Sequence, residues 1–227
     1  MGVIGGPDPI VQDSLVFALD PGSKRSYISG SSTCTSIVSS DTGTLTADVI
    51  AASTSSAFFF DGTTNKIQIN NYFNDVFTSN TFTVNFWAKP SVLSSWKYIM
   101  SNGYPFQIAT NGTQLRLYLS NNNAGGYYVP AYSPGNVDVG TWYNATIVNS
   151  AADSRQWYLN GVSAGAANTG NDTPGASTHT AGGLVIGQWA DGSLDQHGFI
   201  GPIHIYNKAL SAAEVLQNYN ALKDRFD

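Results

Sequence analysis

The segment GFIGPIHIYNKALSAAEVLQNY, residues 198–219, changes character halfway along. From Phe199 to Tyr206 the residues are aromatic, β-branched and closely spaced, which is the composition of a strand. Alternation places Phe199, Ile203 and Ile205 on one face with Gly201, and Ile200, His204 and Tyr206 on the other. Pro202 has no N–H to give to a ladder, so this strand belongs at a sheet edge or carries a bulge. The spacing then turns helical. Ser211 is a good N-cap, and Glu214, the chain's only glutamate, stands three residues on, forming a capping box. Leu210 before the cap and Val215 after it form a hydrophobic staple. Val215, Leu216, Tyr219 and Leu222 fall on one helical face that can dock on a sheet. Glu214 is thereby explained as a cap. His204 reads as a hydrogen-bonded or half-exposed strand histidine, with no second catalytic group near it in sequence. The segment is a strand running into a closing helix, not an active site.

Moving outward, strand after strand follows the same logic. TFTVNFWAKP alternates most clearly: Phe82, Val84, Phe86 and Ala88 share one face, and Thr81, Thr83, Asn85 and Trp87 the other, with Pro90 as terminator. SLVFALD, AFFFDG, KIQIN, KYIMS, PFQIA, QLRLYLS, GYYVPAY, TWYNATIVNS, RQWYLNGVSAG and GLVIGQW read as further strands. Asn160-Gly161 supplies the positive φ angles of a two-residue hairpin turn. Residues 22–56, rich in Ser and Thr, read as long loops with weak strands. About a dozen short strands with almost no helix specify an all-β, two-sheet antiparallel sandwich of the jelly-roll type with one short C-terminal helix. Residues 1–13 form a Gly/Pro-rich extended arm, and residues 14–227 one domain. Repeats of fixed period are missing.

Composition removes several function classes. The chain has 227 residues, a formal net charge of −5 and only 11% charged residues, with scattered basic side chains. It is not built to neutralise phosphates, so nucleic-acid binding is not expected. No apolar run reaches the roughly 18 residues of a membrane span, so no membrane insertion is expected. The N-terminus lacks the basic and apolar regions of a secretory signal. The single cysteine, Cys34, excludes an internal disulfide framework and a cysteine-rich zinc site.

Catalytic chemistry in such a chain would draw on its acids and histidines. Glycoside hydrolysis needs two carboxylates flanking the scissile bond. The chain offers no strand with alternating acids, and its one glutamate is a cap. No nucleophile elbow, phosphate loop or zinc-protease motif occurs. His179, His197 and His204 lack metal-ligand spacing. Asp61, Asp191 and Asp195 have the chemistry for calcium but read better as turn-capping aspartates. We therefore expect no catalytic residue, no cofactor and no metal. The stronger signal is aromatic. Tyr104, Tyr127, Tyr128, Tyr132 and Trp189 lie in or beside Gly- and Asn-containing loops, where they can stack on the apolar faces of sugar rings.

FFFDGTTNKIQI, TFTVNFWAKP, TWYNATIVN with RQWYLNGVSAG, GLVIGQW and residues 198–219 occur in the order seen in concanavalin A-like domains, and this set resembles the laminin-G-like jelly-roll family. The resemblance covers about Ser14 to Phe226 and implies two antiparallel sheets packed face to face. At the two ends, LVFALDPGSKRSY and YNKALSAAEVLQNYNALKDRF resemble laminin-G-like modules of tailed-phage virion proteins, notably those of marine and cyanobacterial phages. Gly201-Pro202 stand where the wider family often has an acidic pair, and TCTSIVSSDTGTL replaces a stretch commonly rich in Trp, Asp and Asn-Gly. No calcium ligand is therefore carried over. The resemblance implies a non-enzymatic virion component, foremost a capsid decoration protein on the virion surface. Its partners would be the major capsid protein or other virion proteins, or further copies of itself in a homo-oligomer. Ile4, Pro7, Pro9 and Ile10 of the arm would serve as anchors. The alternative is a carbohydrate-binding tail or fibre module that contacts host surface glycans.

Overall fold

The alternation of TFTVNFWAKP is kept in the computed structural model of the chain, which describes residues 8–46, 49–52, 57–103, 106–120, 127–151, 154–165, 183–190 and 192–226. Phe82, Val84, Phe86 and Ala88 are fully buried in the main core. In chain order the strands are β1 (Leu15–Leu19), β2 (Thr33–Thr35), β3 (Thr42–Leu45), β4 (Ile50–Ala52), β5 (Ala57–Asp61) and β6 (Ile67–Ile69). After a short helix α1 (Asn74–Phe77) come β7 (Phe82–Pro90), β8 (Trp96–Ser101), β9 (Phe106–Asn111), β10 (Gln114–Ser120) and β11 (Tyr127–Asn136). The chain ends with β12 (Tyr143–Ala151), β13 (Ser154–Leu159), β14 (Val162–Ser163), β15 (Val185–Ile186), β16 (His197–Tyr206) and α2 (Ala212–Leu222).

These strands form two antiparallel sheets, as expected for a jelly roll. The first has the order β14-β13-β12-β7-β16-β5-β4, with β1 also paired to β16. The second has the order β11-β10-β9-β8-β15-β6-β3-β2. Large side chains from both inner faces meet between the sheets, including Phe17, Phe58, Phe60, Phe82, Phe86, Phe106, Ile108 and Leu117. Phe77 of α1 stacks on Phe106 with centroids 3.7 Å apart and so plugs one part of this layer. Helix α1 was not expected. At four residues it is too short to carry a periodic signal of its own.

β16 is a central strand, and Pro202 marks a bulge in it. The register against β7 shifts between Ile200 and Ile203. One extra residue transfers every side chain before it to the opposite face. Ile200, expected beside His204, therefore joins Ile203 and Ile205 in the core. Phe199, expected on the same face as Ile203 and Ile205, lies outside the core and packs against Phe59 and Trp142. The bulge also divides the strand's other edge: β5 pairs with its first half and β1 with its second.

The outer face of the first sheet is covered by α2. Ser211 Oγ accepts from the Glu214 N–H at 3.3 Å, and the Ser211 N–H donates to the Glu214 carboxylate at 2.8 Å, completing the capping box. The staple residues Leu210 and Val215 are buried in one cluster with Tyr206. The docking face differs from the expected one at one position. Asn218 is fully buried, whereas Leu216 is 43% exposed. Asn218 has a reason to be there: its Oδ1 accepts from the Val11 N–H at 2.8 Å and its Nδ2 donates to Tyr206 Oη at 3.0 Å. The Asn160-Gly161 turn has φ values of 50° and 76°, as a tight hairpin between β13 and β14 requires.

Candidate functional site

On β10 the burial alternates without a break. Leu115, Leu117 and Leu119 face the core, and Gln114, Arg116 and Tyr118 project from the outer face of the second sheet, each partly exposed. β9 runs alongside, so that Arg116 pairs with Ala109 and Tyr118 with Gln107. β8 completes the surface, with Tyr98 beside Ala109 and Trp96 beside Asn111. Three adjacent strands thus bring Trp96, Tyr98, Arg116 and Tyr118 together.

Their contacts form a continuous set. The Arg116 guanidinium lies over the Trp96 ring, 4.7 Å from its centroid. Arg116 Nη1 donates to Tyr118 Oη at 3.4 Å, and the Trp96 and Tyr118 rings lie 5.5 Å apart, inclined by 53°. A planar cation held on an indole face is fixed in position at little conformational cost. Beneath and beside them, Trp189 sets its ring edge-on against Tyr98 at 5.0 Å and 85°. Tyr98 Oη donates to Gln107 Oε1 at 3.2 Å. Gln107 itself is 1% exposed, and its Nε2 is a buried donor without a partner among the described residues. Gln188 Nε2 donates to Asp195, and Gln188 Oε1 is a buried acceptor that also lacks a partner there.

The expected binding aromatics are distributed differently. Trp189 is the one whose side chain is described, and it is 8% exposed and packed on Tyr98. It supports the surface instead of presenting itself as a loop aromatic. Tyr127, Tyr128 and Tyr132 belong to β11, which pairs with β10. Tyr132 stands opposite Arg116, Tyr128 opposite Leu119 and Tyr127 opposite Ser120. Their side chains, like Tyr104 as a whole, lie outside the described residues. Trp96, Tyr98, Arg116 and Tyr118 were not singled out from the sequence, although the strict Leu alternation in QLRLYLS already separates Arg116 and Tyr118 from the core face.

The acids are engaged elsewhere. Asp61 Oδ1 accepts from the Thr63 N–H and Oγ1 at 2.9 and 2.8 Å, which holds its carboxyl below the ordinary carboxylate range. Asp20 is held by both terminal nitrogens of Arg225, at 2.9 and 2.8 Å. Glu214 bonds Lys208 as well as its cap, and Lys208 lowers its pKa most. Among the described residues no three of His, Cys, Asp and Glu gather as a metal site. Asp191 lies outside them.

Of the arm, Ile4 and Pro7 lie outside the described residues, while Pro9 and Ile10 are described. Residues 9–11 rest on their own domain. Gln217 Nε2 donates to Pro9 O at 2.7 Å, Tyr206 Oη donates to Val11 O at 3.1 Å, and Val11 is 7% exposed. Residues 9–11 are held by α2 and β16.

Residues 61–216 match a family model described as the concanavalin A-like lectin/glucanases superfamily. No curated protein matches the chain. Among solved structures, the binding domain of botulinum neurotoxin serotype D superposes with a TM-score of 0.70 at 17% identity, covering 91% of this chain and 51% of that one. The chain thus spans about half the length of the toxin structures it matches. Domain 4 of an extracellular arabinanase from Geobacillus stearothermophilus, solved with arabinotriose, gives a TM-score of 0.66 at 15% identity and covers 91% of this chain and 98% of that domain. A Trypanosoma rangeli sialidase mutant displaying trans-sialidase activity gives 0.65 at 16% identity, covering 96% of this chain and 34% of that one. At these identities the likeness is one of fold.

Proposed function

The chain belongs to the concanavalin A-like lectin/glucanases superfamily, and from that premise we propose that it is a lectin-like, carbohydrate-binding module whose ligand lies on the outer face of the second sheet. The observation that carries this reading is the contiguity of Trp96, Arg116 and Tyr118. Two aromatic rings in contact offer apolar surface to the C–H side of a sugar, and the guanidinium held over Trp96 fixes their arrangement. The arabinanase domain solved with arabinotriose matches along nearly its whole length, which is consistent with a self-contained binding module. Binding without hydrolysis fits the engagement of Asp20, Asp61 and Glu214 in turns, caps and ion pairs. A glycan array followed by calorimetry tests the proposal. Saturable binding of at least one glycan, abolished in Trp96→Ala and Tyr118→Ala, is expected. Glycan binding that survives both substitutions would place the site elsewhere.

A second reading concerns where such a module is displayed. We propose attachment to a tailed-phage virion surface through the side of the first sheet. There residues 9–11 dock on α2, opposite the aromatic face. Immunogold labelling of intact particles distinguishes a capsid decoration protein from a tail or fibre adhesin, and unlabelled virions would remove both.

A further inference from the structure

A second concavity lies on the far side of the molecule, over the first sheet. Ile10, Ala18, Ile37, Val38 and Leu222 wall a cavity of about 230 Å³, and His204 lines it from the sheet. The arm segment, the end of α2 and the loop after β2 converge here because β16 and β1 pair at this point, with His204 opposite Ala18. The lining is mostly apolar, with Gln12 and Asp20 as further polar residues. His204, 3% exposed, is the buried polar side chain among them.

The hydrogen bonds fix which nitrogen of His204 carries the proton. Asn85 Nδ2 donates to Thr146 Oγ1 at 2.6 Å and to Asn144 Oδ1 at 3.0 Å. The Asn85 amide oxygen is therefore the atom 3.1 Å from His204 Nδ1, and Nδ1 must be the donor. A neutral imidazole protonated on Nδ1 has a lone pair on Nε2. Among the described residues His204 makes no other side-chain hydrogen bond, and Nε2 is not among the fully enclosed polar atoms, so it opens toward the cavity that His204 lines. Burial pushes the pKa of His204 down to about 4, so the ring is neutral at ordinary pH. Asp20 also borders the cavity, but both its oxygens are held by Arg225, which offsets its charge.

We propose that this cavity is a ligand site, separate from the aromatic face, for a small uncharged molecule with an apolar body and one hydroxyl group that donates to His204 Nε2. The size agrees: an apolar cavity of about 150 Å³ holds benzene, so this one holds a six-membered ring carrying a hydroxymethyl group. The chemistry agrees as well. An acceptor that opens into the cavity can take a hydroxyl hydrogen while the apolar walls take the ring. A carboxylate would meet the Nε2 lone pair and Asp20 and is excluded.

The test uses the full-length, isotope-labelled protein with benzyl alcohol as probe and toluene and benzoate as controls. Long-range ¹H–¹⁵N correlation of the imidazoles and calorimetry provide the readouts. Benzyl alcohol is expected to saturate, to shift the Nε2 resonance of His204 and to bind at least tenfold more tightly than toluene, with benzoate not binding. Ala221→Phe, which grows a ring from the rim on α2, is expected to remove binding. Val38→Trp does the same from the opposite rim, where Val38 is 40% exposed, should the first variant fail to fold. Absence of saturable binding, equal affinity for benzyl alcohol and toluene, or binding unaffected in a folded rim variant would each overturn the proposal.

Discussion

Phe226 stacks on Trp87 with ring centroids 4.5 Å apart and planes inclined by 21°. The contact joins the last turn of the chain to the middle of β7, on the face opposite the core. It depends on Gly201 beneath it: a Cβ there would stand 3.0 Å from Trp87 Cβ and 3.1 Å from Phe226 Cζ. The bulge at Gly201-Pro202 and the C-terminal aromatic therefore belong to one arrangement, closed on a further side by Trp142 at 4.6 Å from Phe226.

Phe226→Ala removes a ring that is 7% exposed and uncovers the Trp87 face. The expected cost is about 3 kcal/mol, the lower end for truncating a buried aromatic, because the ring is not fully enclosed. The corresponding fall in Tm is about 6–12 °C for a domain of this size. Calorimetric unfolding checks it. An unchanged Tm would show that the C-terminal turn carries no stability.

Asn218→Ala leaves the buried Val11 N–H without a partner, while the Tyr206 hydroxyl keeps its bond to Val11 O. One unsatisfied group costs about 1–3 kcal/mol, so a loss of that size is expected, less whatever is recovered if the arm detaches. Amide exchange at Val11 separates the two routes. Fast exchange at Val11 with core amides still protected would show that residues 9–11 had come away from α2 before global unfolding.

Much of this architecture is legible in the sequence because it rests on local rules. The period-two pattern of Phe82 to Ala88, the Ser211–Glu214 box and the Asn160-Gly161 turn each act within a few residues, and each appears as read. The face assignment of Phe199 and Ile200 is not legible. A bulge is a relation between two strands, and Pro202 signals that something departs from the ladder without saying in which direction. Nor does helical spacing distinguish Leu216 from Asn218. Burial of Asn218 follows from its bond to Val11, 207 positions away in the chain. The aromatic face is half-legible. QLRLYLS sets Arg116 and Tyr118 apart from the core, but nothing local says that β8 lies beyond β9 and brings Trp96 over the guanidinium.

The stability of the protein should fall between about pH 6.5 and pH 4. Burial holds the His204 pKa down at about 4, against 6.5 for a free histidine, with Asp20 favouring and Arg225 opposing the charged form. In that window the unfolded chain binds the proton and the folded chain does not, so unfolding is favoured as the pH drops. The full effect is roughly 3 kcal/mol. Asp13, Asp61 and Glu214, whose pKa values are lowered in the fold, add their losses only at lower pH. Denaturant unfolding across this range checks the slope, and His204→Gln should flatten it between pH 6.5 and 4.5. A slope of the same size in the variant would assign it to other groups.

Trp96 and Trp189 should separate binding from support. Trp96 is partly exposed beneath the Arg116 guanidinium, whereas Trp189 is 8% exposed and seated edge-on against Tyr98. Trp189→Ala opens a buried void and is expected to cost about 3–5 kcal/mol of stability. Its effect on glycan affinity should come only through loosening of Tyr98. Trp96→Ala leaves no comparable void and should cost about 1 kcal/mol or less. It removes an aromatic contact for the sugar and the ring that positions the guanidinium, so affinity should fall at least tenfold, equivalent to about 1.4 kcal/mol. Arg116→Lys keeps the charge but loses the planar fork, and it should weaken binding without changing stability. Parallel denaturation and calorimetry on the three variants read both quantities. If Trp189→Ala lowered affinity more than Trp96→Ala at equal loss of stability, Trp189 would be the contact residue and Trp96 its support.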